Sequence, residues 1–241
     1  MKTRSKAIES DTSDEYLLSG EKHFGTGSGL VDFMITTATV AGVPDLFVLA
    51  IKNAKWDGSE GIKLAAEWDG HGMCATQSHA FVFNGVKVKR GAWPGSMQRA
   101  GMTGAQLANT LFSAVIVAVV QQAMEFARNK LASKCQEMRP YEQVEWVRAE
   151  NDAWMIEQAY AGILNAVESG NNGLNASARG KTVIAELAET CLGRMSKVVG
   201  GASYSQAGPL GRWAQDVRAL GFLRPPWGLA YDQLFGMSWP D

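Results

Sequence analysis

The sequence predicts an α+β protein: an antiparallel β-sheet or barrel over residues 1–98, followed by a four-helix up-and-down bundle over residues 99–241. Three observations carry that reading. Between Arg99 and Glu125 the chain bears no charge, and from Gly104 onward the run has helical composition. Leu107, Leu111, Phe112, Val115, Val119 and Val120 recur there at close to helical spacing. Ahead of this run lie short segments of alternating apolar residues joined by Gly-rich turns, with no helical period between them, which implies antiparallel strands. Behind it lie amphipathic runs of helix length, broken by Gly170-Asn171-Asn172-Gly173 and by Pro225-Pro226.

Each element has its own signal. Residues 1–15 are polar and charged, and a frayed terminus is expected. Tyr16-Leu17-Leu18 opens the first strand. Val31, Phe33, Ile35 and Thr37 alternate with polar or flexible neighbours as a half-buried strand does. Asp45–Ile51 is a short apolar run that suits a strand covered on both faces, and Gly61–Trp68 reads as another strand. Within 79–89, Phe81 and Phe83 alternate, then Val86 and Val88. Asn84-Gly85 between them is either a two-residue hairpin or a bulge in one strand. Gly91–Gly104 reads as the hinge. The uncharged helix that follows is apolar nearly all round, which predicts burial on every side. A membrane span is the rival reading, but Gln106, Asn109, Thr110, Ser113, Gln121 and Gln122 leave only Leu111–Val120 as an apolar stretch, too short to cross. Glu137–Ser169 and Ala176–Val199 read as the next helices, and a short one begins near Pro209 and ends at Pro225-Pro226.

Composition narrows the function classes. A net charge of −1 announces no polyanion-binding surface, so nucleic acid is not expected, and Lys87, Lys89 and Arg90 read as a solvated strand edge. Cys74, Cys135 and Cys191 are odd in number and far apart, which suits reduced thiols, and a polar first stretch without an apolar leader fits a cytoplasmic protein. His71, Cys74 and His79 share one stretch, but a metal needs three or four converging ligands. Their bland readings are a turn His, a small buried Cys and a surface His, so no metal is expected. Ser78-His79 cannot act as a nucleophile and base, because strand neighbours point to opposite faces. Gly25-Thr26-Gly27-Ser28-Gly29 matches no phosphate-binding motif, and Gly200-Gly201 after a long helix reads as a cap. Trp213, Trp227 and Trp239 near the C-terminus are either core residues or subunit contacts.

The order of motifs resembles the acyl-CoA dehydrogenase superfamily of flavoproteins. Tyr16-Leu17-Leu18-Ser19-Gly20-Glu21-Lys22-His23-Phe24-Gly25-Thr26-Gly27 is similar to that family's y-x-L-x-G-x-K-x-W/F-x-T stretch. Trp68-Asp69-Gly70-His71-Gly72-Met73-Cys74-Ala75-Thr76-Gln77-Ser78 is similar to W-D-x-x-G-M-R-A-T-x-S, and Phe81–Val88 to v-x-F-d-x-V-x-V. Gly200-Gly201-Ala202-Ser203-Tyr204, Pro209-Leu210-Gly211-Arg212 and Asp216-Val217-Arg218 follow the pattern of its C-terminal helices. The match runs from about Ala7 to the end.

The resemblance implies an FAD site, with Phe24 and Thr26 against the flavin ring, and Lys134 with Gly200 and Gly201 at the pyrophosphate of a neighbouring subunit's cofactor. It implies substrate contacts at Thr76 and Ser78, an acyl-CoA-type substrate undergoing CH–CH oxidation, and a homodimer or homotetramer. Two departures qualify this. The helical domain that opens such proteins and the T-E-P-x-A-G-S-D stretch that touches the flavin have no counterpart in this sequence, so a hetero-oligomer with a full-length relative is the other expectation. Dehydrogenation needs a carboxylate to take the α-proton, yet the two positions where the family carries Glu fall near Arg224, within Phe222–Pro226, and near Ala108, with Asp232 a weak substitute. No catalytic residue is therefore assigned. A two-component flavin monooxygenase of the same fold, or a catalytically silent subunit, stand as alternatives.

Overall fold

The computed structural model describes residues 3–12 and 14–239. They form two compact units, Met1–Gly70 with Cys74–Gly101, and His71–Met73 with Met102–Asp241.

The first unit is a six-stranded sheet: β1 (Ser5–Glu9), β2 (Glu15–Gly25), β3 (Phe33–Val40), β4 (Val43–Ala50), β5 (Ile62–Ala66) and β6 (His79–Arg90). The order is β2-β1-β3-β4-β6-β5, and a further β2–β6 pairing closes the first five into a ring. The pairings are antiparallel except β1 with β3, which is parallel, so the sheet is mixed. The N-terminal stretch is not frayed where it is described. Although polar, β1 pairs with β2 over five residues and places Ala7 in the core, because closing the ring needs a strand between β2 and β3.

Asn84-Gly85 is a bulge, not a hairpin. β2 advances two residues from Leu18 to Gly20 while β6 advances three between Val86 and Phe83. The extra residue switches the phase of β6, so that Phe81, Phe83, Val86 and Val88 all face inward. Gly85 takes φ +66, which a residue lacking Cβ accommodates without strain. These four side chains pack with Leu18 and Phe47, both 0 % exposed. Arg90 is not at a solvated edge. It lies over the Tyr16 ring at 4.8 Å and forms an ion pair with Asp45, Nε to Oδ2 3.1 Å, whose angle falls short of a hydrogen bond.

The second unit contains α1 from Met102 onward (the helix runs Ser96–Leu131 and begins in the hinge), α2 (Pro140–Ser169), α3 (Gly173–Val199), α4 (Leu210–Phe222) and α5 (Trp227–Ser238). Side-chain pairings give the up-and-down order. Gln121 meets Glu157 and Arg128 meets Glu150, so α1 and α2 run oppositely. Gly180 lies against Ile163 and the Cys191 thiol donates to the Ala149 carbonyl, which makes α2 and α3 antiparallel, and Arg194 adds bonds to Asp152 and Glu145. Beyond Pro225-Pro226 the chain does not stop as a helix former. Pro226 caps a further short helix, α5, whose Ala230 and Leu234 are buried.

α1 is long and apolar enough to cross a membrane by length and composition, but it is not buried on every side. Ile116, Val117, Val120, Ala123 and Ala127 enter the core of the helical unit. Leu107, Leu111, Phe112 and Val115, which the spacing assigns to the core, are 40–57 % exposed, while Asn109 and Ser113 are buried. Of the C-terminal tryptophans, Trp213 packs edge-on against Phe126, and Trp227 and Trp239 are exposed.

Gly180 shows how closely α2 and α3 approach. A Cβ at this position would lie 2.5 Å from the buried Ile163 side chain, whereas one at Gly193 of the same helix meets nothing within 4 Å. Alanine gains about 0.5–1 kcal/mol over glycine in a helix interior, and overpacking removes about 1–3 kcal/mol. Gly193→Ala is therefore expected to raise the denaturation midpoint and Gly180→Ala to lower it, as read by chemical denaturation of the two variants.

Candidate functional site

The register of β2 against β6 sets Gly25 opposite His79. The chain then turns at Gly27, whose φ of +80 suits glycine, and its N–H donates to the Thr76 carbonyl at 2.7 Å. Residues from two distant motifs thus meet within the first unit. The Ser78 hydroxyl lies 3.0 Å from that of Thr26 and 2.8 Å from that of Thr76. Beside them the Ser28 hydroxyl donates to the Gln77 carbonyl at 2.9 Å. Ser78 and Ser28 are buried, while Thr26 is exposed.

Three hydroxyls carry three protons, and the two links between them use two. When Ser78 donates to Thr26, the Thr26 hydroxyl, the exposed member of this chain, keeps its own proton for an outside acceptor. The cluster therefore offers an O–H donor, together with acceptor lone pairs, at the surface of a rigid sheet end.

An aromatic wall stands beside this donor. Phe24 is 66 % exposed at φ +56, and its ring meets Trp68 edge-on, centroids 6.1 Å apart. Phe24 and Gln77, both of the first unit, adopt positive φ (+56 and +43), a local strain of the kind that gathers at functional sites. Trp68 is held in turn through its N–H, which donates to Nδ1 of His79 at 2.9 Å. His79 is thus not a surface residue: it is half-buried against Trp56 and Phe81 and accepts at Nδ1. Cys74 is exposed rather than buried, its thiol donating to the Gly70 carbonyl.

Four of the seven residues expected at the site, Phe24, Thr26, Thr76 and Ser78, are brought together in this way. The other three belong to the helical unit. Lys134 is exposed in a 3-10 turn at Ala132–Glu137, directly after α1. Gly200, with φ +79, caps α3, and Gly201 follows it in a second 3-10 turn closed by the Ser203 hydroxyl on the Gly200 carbonyl at 2.7 Å. A Cβ on either glycine meets nothing within 4 Å, so their backbone lies open to approach from outside.

Sequence reasoning missed Asp216. Its carboxylate accepts from the Met73 N–H at 2.6 Å, and Gly72 packs on the Gln215 carbonyl closely enough that a Cβ would lie 2.5 Å away. The second and last of the quoted motifs are therefore joined within the helical unit. The signal available was the presence of both motifs, but nothing in their spacing says that they touch.

The donor set fits a flavin ring: a heterocycle rich in carbonyl and imine acceptors meets the outward O–H, and its flat face suits the exposed Phe24 and Trp68. An exposed cation and open glycine backbone at Lys134, Gly200 and Gly201 have the chemistry for a pyrophosphate.

No protein-family model matches the chain. Amino sugar nitrososynthase DnmZ of Streptomyces peucetius is 26 % identical over 235 residues, which covers 89 % of this chain and 56 % of that protein. Among solved structures, KijD3 in complex with FMN and dTDP-3-amino-2,3,6-trideoxy-4-keto-3-methyl-D-glucose aligns with TM-score 0.81 and 21 % identity, over 97 % of this chain and 62 % of that one. A probable acyl-CoA dehydrogenase from Mycobacterium abscessus aligns with TM-score 0.84 and 16 % identity, over 98 % and 64 %. The chain spans between about half and two thirds of the length of these proteins.

Removing the shared member of the hydroxyl cluster tests its structural part. Ser78→Ala deletes both links and is expected to destabilise the sheet unit by about 1–2 kcal/mol. The thiols give a second check. Burial pushes Cys191 up to about 12, while Cys74 and Cys135 are exposed. An aromatic disulfide reagent at pH 8 is expected to titrate two thiols in the folded protein, and the third only after denaturation.

Proposed function

We propose that this chain, which has the fold of the acyl-CoA dehydrogenase-type flavoproteins, forms the β-unit and helical unit of a flavin-dependent monooxygenase acting on an amine-bearing, anionic small molecule such as a nucleotide-linked amino sugar. The observation that carries this over dehydrogenation is the absence of a carboxylate where the α-proton base would stand. By the family resemblance those places fall near Arg224, exposed in the α4–α5 linker, and near Ala108 of α1, and neither residue accepts a proton. Oxygenation of an amine needs no such base. The similarity to the nitrososynthase supports the same reading.

Bound flavin would supply the redox centre. The chain's own residues have the supporting roles. Thr26, through Ser78 and Thr76, donates to the ring's acceptor edge, and Phe24 with Trp68 covers its face and keeps water from it. Lys134 and the Gly200-Gly201 backbone meet the pyrophosphate of FAD in an oligomer, and Arg224 meets an anionic group of the substrate.

The test uses the purified full chain. Titration with FAD and FMN, followed by flavin absorbance and fluorescence, is expected to show binding that Thr26→Val weakens about tenfold, the equivalent of one hydrogen bond of about 1.4 kcal/mol. Lys134→Ala is expected to reduce the preference for FAD over FMN. With reduced flavin supplied, oxygen uptake should rise with a dTDP-linked amino sugar, and an anaerobic panel of acyl-CoA thioesters should leave oxidised flavin yellow. Bleaching by a thioester would replace this reading with the dehydrogenase. Protein that stays colourless with either flavin would leave the silent subunit.

A further inference from the structure

Lys181 lies on α3 with only 3 % of its surface exposed. Its ammonium donates to the Leu223 carbonyl at 2.6 Å and to the Pro225 carbonyl at 2.8 Å, the two carbonyls that flank Arg224. No ion pair among the described residues includes it; its recorded partners are main-chain dipoles. Lys181 also lines a cavity of about 190 Å³ together with Trp227 of α5.

The charged groups around it are accounted for. Glu186 and Glu189 of α3 line the same cavity, Glu186 accepting a hydrogen bond from the Tyr231 hydroxyl of α5 and Glu189 facing Arg218 of α4 at 3.8 Å. From α2, the residue against neighbouring Gly180 is the uncharged Ile163. Arg224 itself is exposed in the linker.

We propose that Lys181 is a positioning residue: its ammonium clamps the carbonyls on both sides of Arg224, fixes the linker that presents this guanidinium, and slackens the clamp when it loses its proton. The proposal rests on the functional reading above only in giving Arg224 an anion to meet. The clamp itself is independent of it.

Two carbonyls held by one ammonium are charge-assisted bonds, about twice as strong as those of a neutral amine. Burial draws the Lys181 ammonium down from the ordinary lysine value of 10.5 to about 8, so the exchange falls near physiological pH. Its effect on global stability has the opposite sign. Between about 8 and 10.5 the unfolded chain binds more protons at this residue than the folded one, so its contribution to stability grows as pH rises. The linker loosens while the fold as a whole is relieved of a buried charge. A merely structural brace would lose both together.

The test is fluorine NMR on the full chain labelled with 5-fluorotryptophan, the Trp227 resonance being assigned from Trp227→Phe. In the wild type this resonance is expected to titrate with a midpoint near pH 8. In Lys181→Met it should be flat from pH 6.5 to 9.5, and in Lys181→Arg, which keeps its charge, flat as well. The wild-type melting temperature should also rise relative to that of Lys181→Met as pH increases from 7 to 10. A flat wild-type resonance, an unchanged titration in Lys181→Met, or a wild-type-like titration in Lys181→Arg should the methionine variant not fold, would each overturn the proposal. Failure to bind flavin would overturn only the functional reading.

Discussion

The pairing of β2 with β6 is the constraint on which the candidate site depends. It closes the ring of strands, and by setting Gly25 across from His79 it delivers Thr26 to Ser78 from 52 residues away. The bulge at Asn84-Gly85 matters for the same reason. Without the extra residue on β6, the register that puts Leu18 across from Val86 would not also put Gly20 across from Phe83, and one half of the strand would turn its aromatic side chains to solvent. Hydrophobic burial along β6 and hydroxyl placement at its start are two results of one register.

In the helical unit α3 plays the organising part. It meets α2 at Gly180 and Arg194, α4 at Glu189, the α4–α5 linker at Lys181 and α5 at Glu186. These contacts differ in kind. The glycine contact is steric, and an added Cβ would force the Ile163 side chain to shift. Arg194 bridges Asp152 and Glu145 as a two-carboxylate brace, and Glu145 is held below the usual carboxylate range chiefly by its hydrogen bond from Arg148, with the Arg194 charge adding to it. Lys181 alone is a buried cation held by dipoles, which makes it the one contact in this set that responds to a proton near neutral pH.

The proposed chemistry turns on the side chain that the linker carries at position 224. A guanidinium between Leu223 and Pro225 cannot abstract a proton, but it can meet a phosphate with planar, directional donors. Replacing a base by an anion holder changes the reaction a fold can support without changing the fold, because function resides in the side chains placed on it.

Much of the architecture was legible in the sequence. Alternation marked β3 and β6, a short apolar run marked β4, the phase change from Phe81-Phe83 to Val86-Val88 left a hairpin or a bulge at Asn84-Gly85, and helical periodicity with Gly and Pro breaks marked α1 to α4. Both signals are local, since one backbone period determines which side chains share a face. What was misread required partners. β1 is polar, and only the open place between β2 and β3 makes it a strand. α1 is apolar all round, and which of its faces enters the core is decided by α2 and α3, so Asn109 and Ser113 are covered while Leu107 and Leu111 are not. α5 follows two prolines that read as a stop but serve as its cap. At the site, motif resemblance named Phe24, Thr26, Thr76 and Ser78, but their convergence is a property of strand register. The Asp216 contact and the Lys181 clamp were invisible, because each is a hydrogen bond to a main-chain group, and the main chain has no letter in the sequence.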